Sequence, residues 1–135
     1  MNATDTHIIV CTTCRVNGTS REEPADGLGL FDAVQAALWA AEAEDGAPLN
    51  LQLREQRCMS GCNRACTLAL QGAGKWTYYW GDLAPDADTA AAVLACARMH
   101  LHSADGVLDW QSRPERLKSG VLARLPATAV VPERA

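Results

Sequence analysis

Five of the six cysteines in this chain lie in two short segments, and each segment follows a run of residues typical of a β-strand. Cys11 and Cys14 form C-T-T-C directly after the apolar run H-I-I-V. The second segment, C-M-S-G-C-N-R-A-C, follows an alternating run from Leu49 to Arg54. The cysteines of this second segment are Cys58, Cys62 and Cys66. If the two strands are neighbours in one sheet, the loops that follow them converge at one edge of that sheet. The position of the cysteines directly after both strands therefore favours a fold in which these strands are neighbours.

Cysteine content of this kind predicts a metal or redox centre. The N-terminal sequence has no positively charged region followed by a long apolar run, so we expect no secretory signal and a cytoplasmic protein. Structural disulfides are rare in that compartment. Thiolates are the ligands that iron-sulfur clusters and thiolate zinc sites use, and two short groups of them can hold one centre.

The composition favours one folded domain without membrane or nucleic-acid binding. The chain has 135 residues, of which 48% are hydrophobic and 21% charged, the balance of a globular protein. Residues 1–110 contain 7 Lys/Arg and 14 Asp/Glu, a net charge of −7, whereas residues 111–135 contain 5 and 2, a net charge of +3. We expect a domain over 1–110 and a basic, proline-containing, extended tail over 111–135 that folds back on it through Leu117, Val121, Leu122 and Leu125, with a docking arm as the alternative. No uncharged run approaches the ~20 residues of a membrane helix, and the acidic body disfavours nucleic acid.

The order of the predicted elements is β-α-β-β-β-α, which is a thioredoxin-like α/β plan with a mixed sheet. Periodicity of 3.6 residues predicts the helices, and alternating or continuous apolar runs predict the strands. Gly72-Ala73-Gly74 joins the third and fourth strands as a hairpin. The predicted elements are strand 7–10, helix 28–44, strand 49–54, strand 67–71, strand 76–80 and helix 86–103.

The stretch R-C-M-S-G-C-N-R-A-C-T-L-A-L, residues 57–70, resembles the second cysteine pair of thioredoxin-like [2Fe-2S] ferredoxins and of the related small subunit of respiratory NADH dehydrogenases. The whole chain also resembles a family of small bacterial proteins described only as predicted metal-binding. The resemblance implies cluster ligands at Cys11, Cys58 and Cys62. Cys14 is the candidate for the remaining ligand, although those ferredoxins space their first pair more widely, and Cys66 stands near the position where they usually have a proline.

The resemblance further implies a carrier of single electrons that works with redox partner proteins. Related ferredoxins occur with cobalamin synthesis, which suggests a client in cobalamin or tetrapyrrole metabolism. A second copy of this chain, in a homodimer, is a further candidate partner. The alternatives are a [4Fe-4S] cluster on the same thiolates, zinc in a binding or sensing module without redox turnover, and a thiol-disulfide oxidoreductase that uses Cys11 and Cys14. Because a cluster held by four cysteines has no open site for substrate, we expect no catalytic residues in the carrier.

The remaining notable residues have simpler expected roles. Cys96 is expected to pack in the core. His100 and His102, near the end of the second helix, are expected to be protonated there. The arginines beside the cysteines could offset the charge of the thiolates. They are Arg15, Arg57 and Arg64. One strand face, carrying Trp76, Tyr78 and Trp80, is expected to pack in the core or against the tail.

Overall fold

The computed structural model of this chain describes residues 5–16, 18 and 20–128. It contains a five-stranded mixed sheet and two helices, and the predicted element order is confirmed up to the second helix. The elements are β1 (Thr6–Cys11), α1 (Asp26–Asp45), β2 (Leu51–Gln56), β3 (Leu68–Gln71), β4 (Thr77–Trp80), α2 (Ala87–His102) and β5 (Val121–Leu125).

The strand order in the sheet is β2-β1-β3-β4-β5. β1 runs parallel to β2, whereas the β1–β3, β3–β4 and β4–β5 pairs are antiparallel. The prediction that the first two strands are neighbours in the sheet is therefore confirmed. A parallel pair requires a crossover connection, and α1 provides it.

The ends of the elements differ from the predicted ends by one or two residues. α1 starts at Asp26 rather than Leu28, because Ala25 takes the capping position and Asp26 is already helical. It ends at Asp45 and is capped by Gly46, whose φ of 72° is left-handed and whose N–H donates a hydrogen bond to the Glu42 carbonyl. The second strand lies at 51–56 rather than 49–54. α2 follows Asp86, whose carboxylate accepts a hydrogen bond of 2.8 Å from the Thr89 N–H.

Both helices cover the same face of the sheet, because α1 and α2 contact each other and each also contacts β1. The residues of β1, β3 and β4 on that face are fully buried, among them Ile8, Val10, Leu68, Leu70, Tyr78 and Trp80. The expected packing of the aromatic strand face is confirmed, since the rings of Tyr78 and Trp80 stack with centroids 5.5 Å apart. The alternate residues of the strands form the opposite face, called here the open face.

The C-terminal segment adds a fifth strand that the sequence reading did not predict. β5 pairs with β4, and Trp80 donates a hydrogen bond of 3.1 Å from Nε1 to the carbonyl of Leu117. The Leu117 side chain is fully buried. The tail thus packs on the body through Leu117 as expected, whereas Leu125, also expected to pack there, is exposed. Residues 129–135 lie outside the described part. The division at residue 110 stays a prediction.

His100 differs from its expected state. Its side chain is fully buried rather than charged at the helix end. Nδ1 lies 2.8 Å from the Thr6 hydroxyl, and Nε2 lies 2.6 Å from the Trp76 carbonyl. Burial lowers the pKa of His100, and the nearby Lys75 lowers it further against the opposing Trp76 hydrogen bond. The imidazole is therefore a neutral bridge between β1, α2 and the strand hairpin.

Within the described residues, none of the helices has the length and apolar character needed to cross a membrane.

Replacing Leu117 by Ala should lower the free energy of unfolding by about 2–5 kcal/mol, because it removes a fully buried side chain and leaves a cavity. Leu125→Ala is the matched control in the same segment, since Leu125 is 57% exposed and its truncation should cost less than about 0.5 kcal/mol. Urea unfolding followed by circular dichroism measures both. Equal effects of the two substitutions would show that the C-terminal segment contributes nothing to the core.

Candidate functional site

The five cysteines of the two segments lie at one edge of the sheet. Cys11 is opposite Gln56 at the end of the parallel β1–β2 pair, so the chain leaves both strands at the same edge. β3 begins at that edge, where Leu68 pairs with Val10. We call residues 11–14 and 57–67 the cysteine edge. The predicted convergence of the two cysteine segments on one edge follows from this register.

The cysteine edge contains a buried group and an exposed group of thiols. Cys11, Cys14 and Cys66 are buried with at most 2% of their surface exposed. Cys58 and Cys62 lie in the loop between β2 and β3 and are exposed. The sixth cysteine, Cys96, is buried in α2, which confirms its expected packing role.

Cys11 and Cys14 form a hydrogen-bonded pair with opposite pKa shifts. Burial opposes ionisation of Cys11, but hydrogen bonds from the Cys14 thiol and from the Thr13 hydroxyl and N–H outweigh it and lower the pKa of Cys11. Burial raises the pKa of Cys14, even though the Thr67 hydroxyl, 3.4 Å from Sγ, favours its thiolate. Within the pair, ionisation of Cys11 is therefore favoured over ionisation of Cys14.

Cys66 is close to that pair but remains a neutral thiol. Burial raises the pKa of Cys66 to about 12, and the negative charges of Cys14, Asp26 and Cys11 add to the effect. Because these groups affect one another's ionisation, the three buried thiols share one electrostatic environment.

The first turn of α1 packs directly against the C-T-T-C segment. The Gly27 N–H donates a hydrogen bond of 2.9 Å to the Cys14 carbonyl. A Cβ atom at position 27 would collide with the Cys11 carbonyl oxygen, so only glycine permits this approach. The start of the helix is thereby held against the backbone of both cysteines.

Tyr79 supports the exposed loop from the open face of the sheet. Its hydroxyl donates a hydrogen bond of 2.9 Å to the Met59 carbonyl. A Cβ atom on Gly61 would collide with that hydroxyl and approach the Thr67 methyl group to 2.5 Å, so the loop also needs glycine at this position. The Ser60 N–H lies 3.4 Å from the Cys58 sulfur and donates to it.

The pKa of Tyr79 is affected by several of the thiols. Burial raises the pKa of Tyr79, and the negative charges of Cys14, Cys11 and Cys58 raise it further against a hydrogen bond with Thr67. The Tyr79 hydroxyl is therefore electrostatically coupled to thiols of both cysteine segments. The sequence reading missed Tyr79, although strand alternation placed it opposite the buried Tyr78 and Trp80.

Two of the arginines expected beside the thiolates have other partners. The Arg15 guanidinium donates to the carbonyls of Ser20 and Glu23 at 2.9 and 2.6 Å. Arg64 forms a two-pronged ion pair with Asp82. The structure instead supplies hydroxyl and N–H donors to the sulfur atoms.

No three Cys, His, Asp or Glu side chains in the described parts of the chain lie close enough together to bind one metal ion. Cys62 lines two surface pockets, one together with Tyr79 and one together with Arg15. The cysteine edge therefore combines a formed buried thiol group with a separate exposed loop that carries two more thiols.

Comparison with known proteins identifies the family. Residues 8–127 match the family described as "Protein of unknown function (DUF1636)". This chain belongs to the DUF1636 family. No curated protein matches the sequence.

Two solved structures share the fold of this DUF1636 protein. One is a thioredoxin-like [2Fe-2S] ferredoxin from Aquifex aeolicus, with a TM-score of 0.53 and 14% identity over 89% of this chain and 92% of that one. The other, the wild-type thioredoxin-like [2Fe-2S] ferredoxin from Aquifex aeolicus at 1.5 Å, has a TM-score of 0.50 and 14% identity over 88% and 97%. The predicted thioredoxin-like fold and the ferredoxin resemblance are confirmed at the level of the fold.

Gly27→Ala should destabilise the DUF1636 protein by about 1–3 kcal/mol, because the new methyl group pushes α1 away from the Cys11 carbonyl. Gly29→Ala in the same turn is the control. Its Cβ would meet only the Pro85 Cβ at 3.3 Å, and the gain in helix propensity of up to about 1 kcal/mol offsets that contact. Urea unfolding compares the two, and a Gly27→Ala variant as stable as Gly29→Ala would contradict the close packing described here.

Proposed function

We propose that this protein binds one [2Fe-2S] cluster at the cysteine edge and carries single electrons to redox partner proteins. The observation that carries the proposal is the contact between the two cysteine segments, since the Cys11 thiol lies 3.8 Å from the Arg57 carbonyl and the Cys14 sulfur lies 3.4 Å from the Thr67 hydroxyl. Cys58 follows Arg57 directly in the chain, and Cys62 follows four residues after Cys58. The solved structures with the same fold are named as [2Fe-2S] ferredoxins, which supports this cluster type.

The preferred ligands in this proposal are Cys11, Cys14, Cys58 and Cys62. The donor set fits a cluster by its chemistry, because cysteine thiolates are the usual ligands and hydrogen-bond donors already face them. The Thr67 hydroxyl serves Cys14, and the Ser60 N–H serves Cys58. Such bonds stabilise thiolate charge and tune the potential of a cluster. Binding requires the exposed loop of Cys58 and Cys62 to approach the buried pair.

Cys66 is the reserve ligand in this scheme. A ligand must give up its proton, and Cys66, with its pKa of about 12, gives it up least readily. Cys14 is also buried, but the Thr67 hydroxyl favours its thiolate. This difference ranks Cys14 ahead of Cys66.

When bound, such a cluster exchanges one electron at a time and has no open coordination position for substrate. The protein's part is to shield the buried sulfurs and to leave Cys58 and Cys62 near the surface, where a partner can approach. The net charge of −4 favours transient docking to a basic partner, weakened by salt. A cytoplasmic client in cobalamin or tetrapyrrole metabolism belongs to this proposal through the ferredoxin resemblance.

Metal analysis of protein purified without oxygen tests the cluster directly. We expect coloured protein with two iron and two sulfide ions per chain. Four of each would identify a [4Fe-4S] cluster on the same thiolates. Colourless protein that contains zinc alone would contradict the proposal and favour the zinc-binding alternative.

Cys62→Ser should abolish the visible absorption of the bound cluster, because it removes a preferred ligand from the exposed loop. Cys66→Ser is the matched control four residues away and should only perturb the spectrum. Cys96→Ser, in α2, controls for the loss of a buried thiol. Loss of the spectrum in the Cys66 variant and its retention in the Cys62 variant would reassign the fourth ligand to Cys66.

A specific observation favours a second candidate function, thiol-disulfide exchange. Cys11 has a lowered pKa and Cys14 a raised one, as needed for an attacking thiolate and a resolving thiol. The Cys11 thiolate would break a substrate disulfide and form a mixed disulfide, releasing one substrate thiolate. Cys14 would then lose its proton and displace the second substrate thiolate, so that Cys11 and Cys14 end as a disulfide and the substrate gains two electrons. Iron-free protein should then catalyse the reduction of a disulfide substrate, and Cys14→Ser should abolish that activity. These two results together would favour thiol-disulfide exchange.

A further inference from the structure

A second polar feature lies on the open face of the sheet, away from the cysteine edge. A cavity of about 370 Å³ opens beside the turn between β3 and β4. We call it the turn pocket. The side chains that matter for its chemistry are those of His7, Arg54, Gln71, Lys75 and Thr77. Its volume lies in the range of about 300–1,000 Å³ that is typical of small-molecule sites.

Strand pairing builds the floor of the turn pocket. His7 on β1 is opposite Gln71 on β3, and Thr77 begins β4 at the far side of the hairpin. Arg54 pairs with Ile9 on the neighbouring strand β2, on the same face as His7. His7 precedes Cys11 by four residues, which along a strand is roughly 13 Å. The turn pocket is therefore separate from the proposed cluster site.

The charge of the turn pocket opposes that of the whole chain. Among the described residues, its lining contains Arg54, Lys75 and His7 and no acidic residue, although the chain has a net charge of −4. The Lys75 ammonium is fixed by a hydrogen bond of 2.8 Å to the His100 carbonyl at the end of α2. Arg54 forms no hydrogen bond or ion pair with any other described residue. The described residues thus offer no partner to one cation of the turn pocket.

His7 adds an unused hydrogen-bonding atom. Its Nδ1 is buried and has no hydrogen-bond partner among the described residues. Buried polar atoms of side chains normally have a partner, so His7, which lines the pocket, carries one hydrogen-bonding atom that the described residues leave without a partner. Arg54 is close enough for its positive charge to lower the pKa of His7 together with burial, while Asp5 opposes it. An oxygen anion near both side chains would satisfy them at once.

We propose that the turn pocket binds a small molecule through a carboxylate or phosphate group, with the Arg54 guanidinium and the His7 imidazole N–H as its donors. Both anions present several oxygen acceptors, and arginine binds either of them in a two-pronged manner. The Thr77 hydroxyl on the pocket floor provides a third, neutral donor. The fixed Lys75 ammonium contributes positive potential without a direct bond.

Titration of the full-length protein with inorganic phosphate and, separately, with acetate tests this proposal at constant ionic strength. Nuclear magnetic resonance of the histidine rings should show a saturable shift for His7 and none for the exposed His102. The anion that gives the lower dissociation constant identifies the preferred group. A shift that rises linearly without saturation for both anions would overturn the proposal.

Arg54→Gln is the decisive variant, because Arg54 is exposed on an edge strand and its replacement leaves the core intact. It should weaken binding by about tenfold, the effect expected for loss of a charge-assisted hydrogen bond. Arg98→Gln is the control, since it also removes one positive charge but from an exposed ion pair with Asp45 on the helical face. Equal dissociation constants for the two variants would show that the anion responds to net charge alone and would refute the site.

Discussion

The parallel pairing of β1 with β2 is the constraint on which the candidate site depends. It sends the chain out of both strands at the same edge, where Cys11 lies opposite Gln56. The antiparallel β3 then starts beside β1, so the loop between β2 and β3 must cross that edge. A shift of one residue in the β1–β2 register would turn the alternate side chains of β2 to the other face, and Leu51 would leave the core. The register of the β1–β2 pair therefore determines both the packing of the core and the position of the cysteine edge.

Burial and hydrogen bonding separate the five thiols into two groups. Three of them are buried, which alone would keep them protonated, yet neighbouring donors lower the pKa of Cys11. The two exposed thiols lie on a loop that Tyr79 anchors through the Met59 carbonyl. One half of the candidate site is thus buried and hydrogen-bonded, and the other half lies near solvent.

Much of the fold was predictable from the sequence because its signals are local. Hydrophobic periodicity identified α1 and α2, and alternation identified the first four strands. β5 was missed because V-L-A-R-L does not alternate cleanly, and it becomes a strand only through pairing with β4. His100 was misjudged because position at a helix end predicts a charged imidazole, whereas the contacts to Thr6 and Trp76 come from distant parts of the chain. The cysteine edge was predictable from spacing, but the split between buried and exposed thiols depends on packing.

Reversible reduction of the bound centre tests the central claim most directly. Protein-film voltammetry on protein purified without oxygen, together with electron paramagnetic resonance before and after reduction, measures it. The account predicts a one-electron wave that is the same in both directions and a paramagnetic signal that appears on reduction and disappears on reoxidation. The absence of such a wave, with Cys11 and Cys14 cycling instead between dithiol and disulfide, would contradict it.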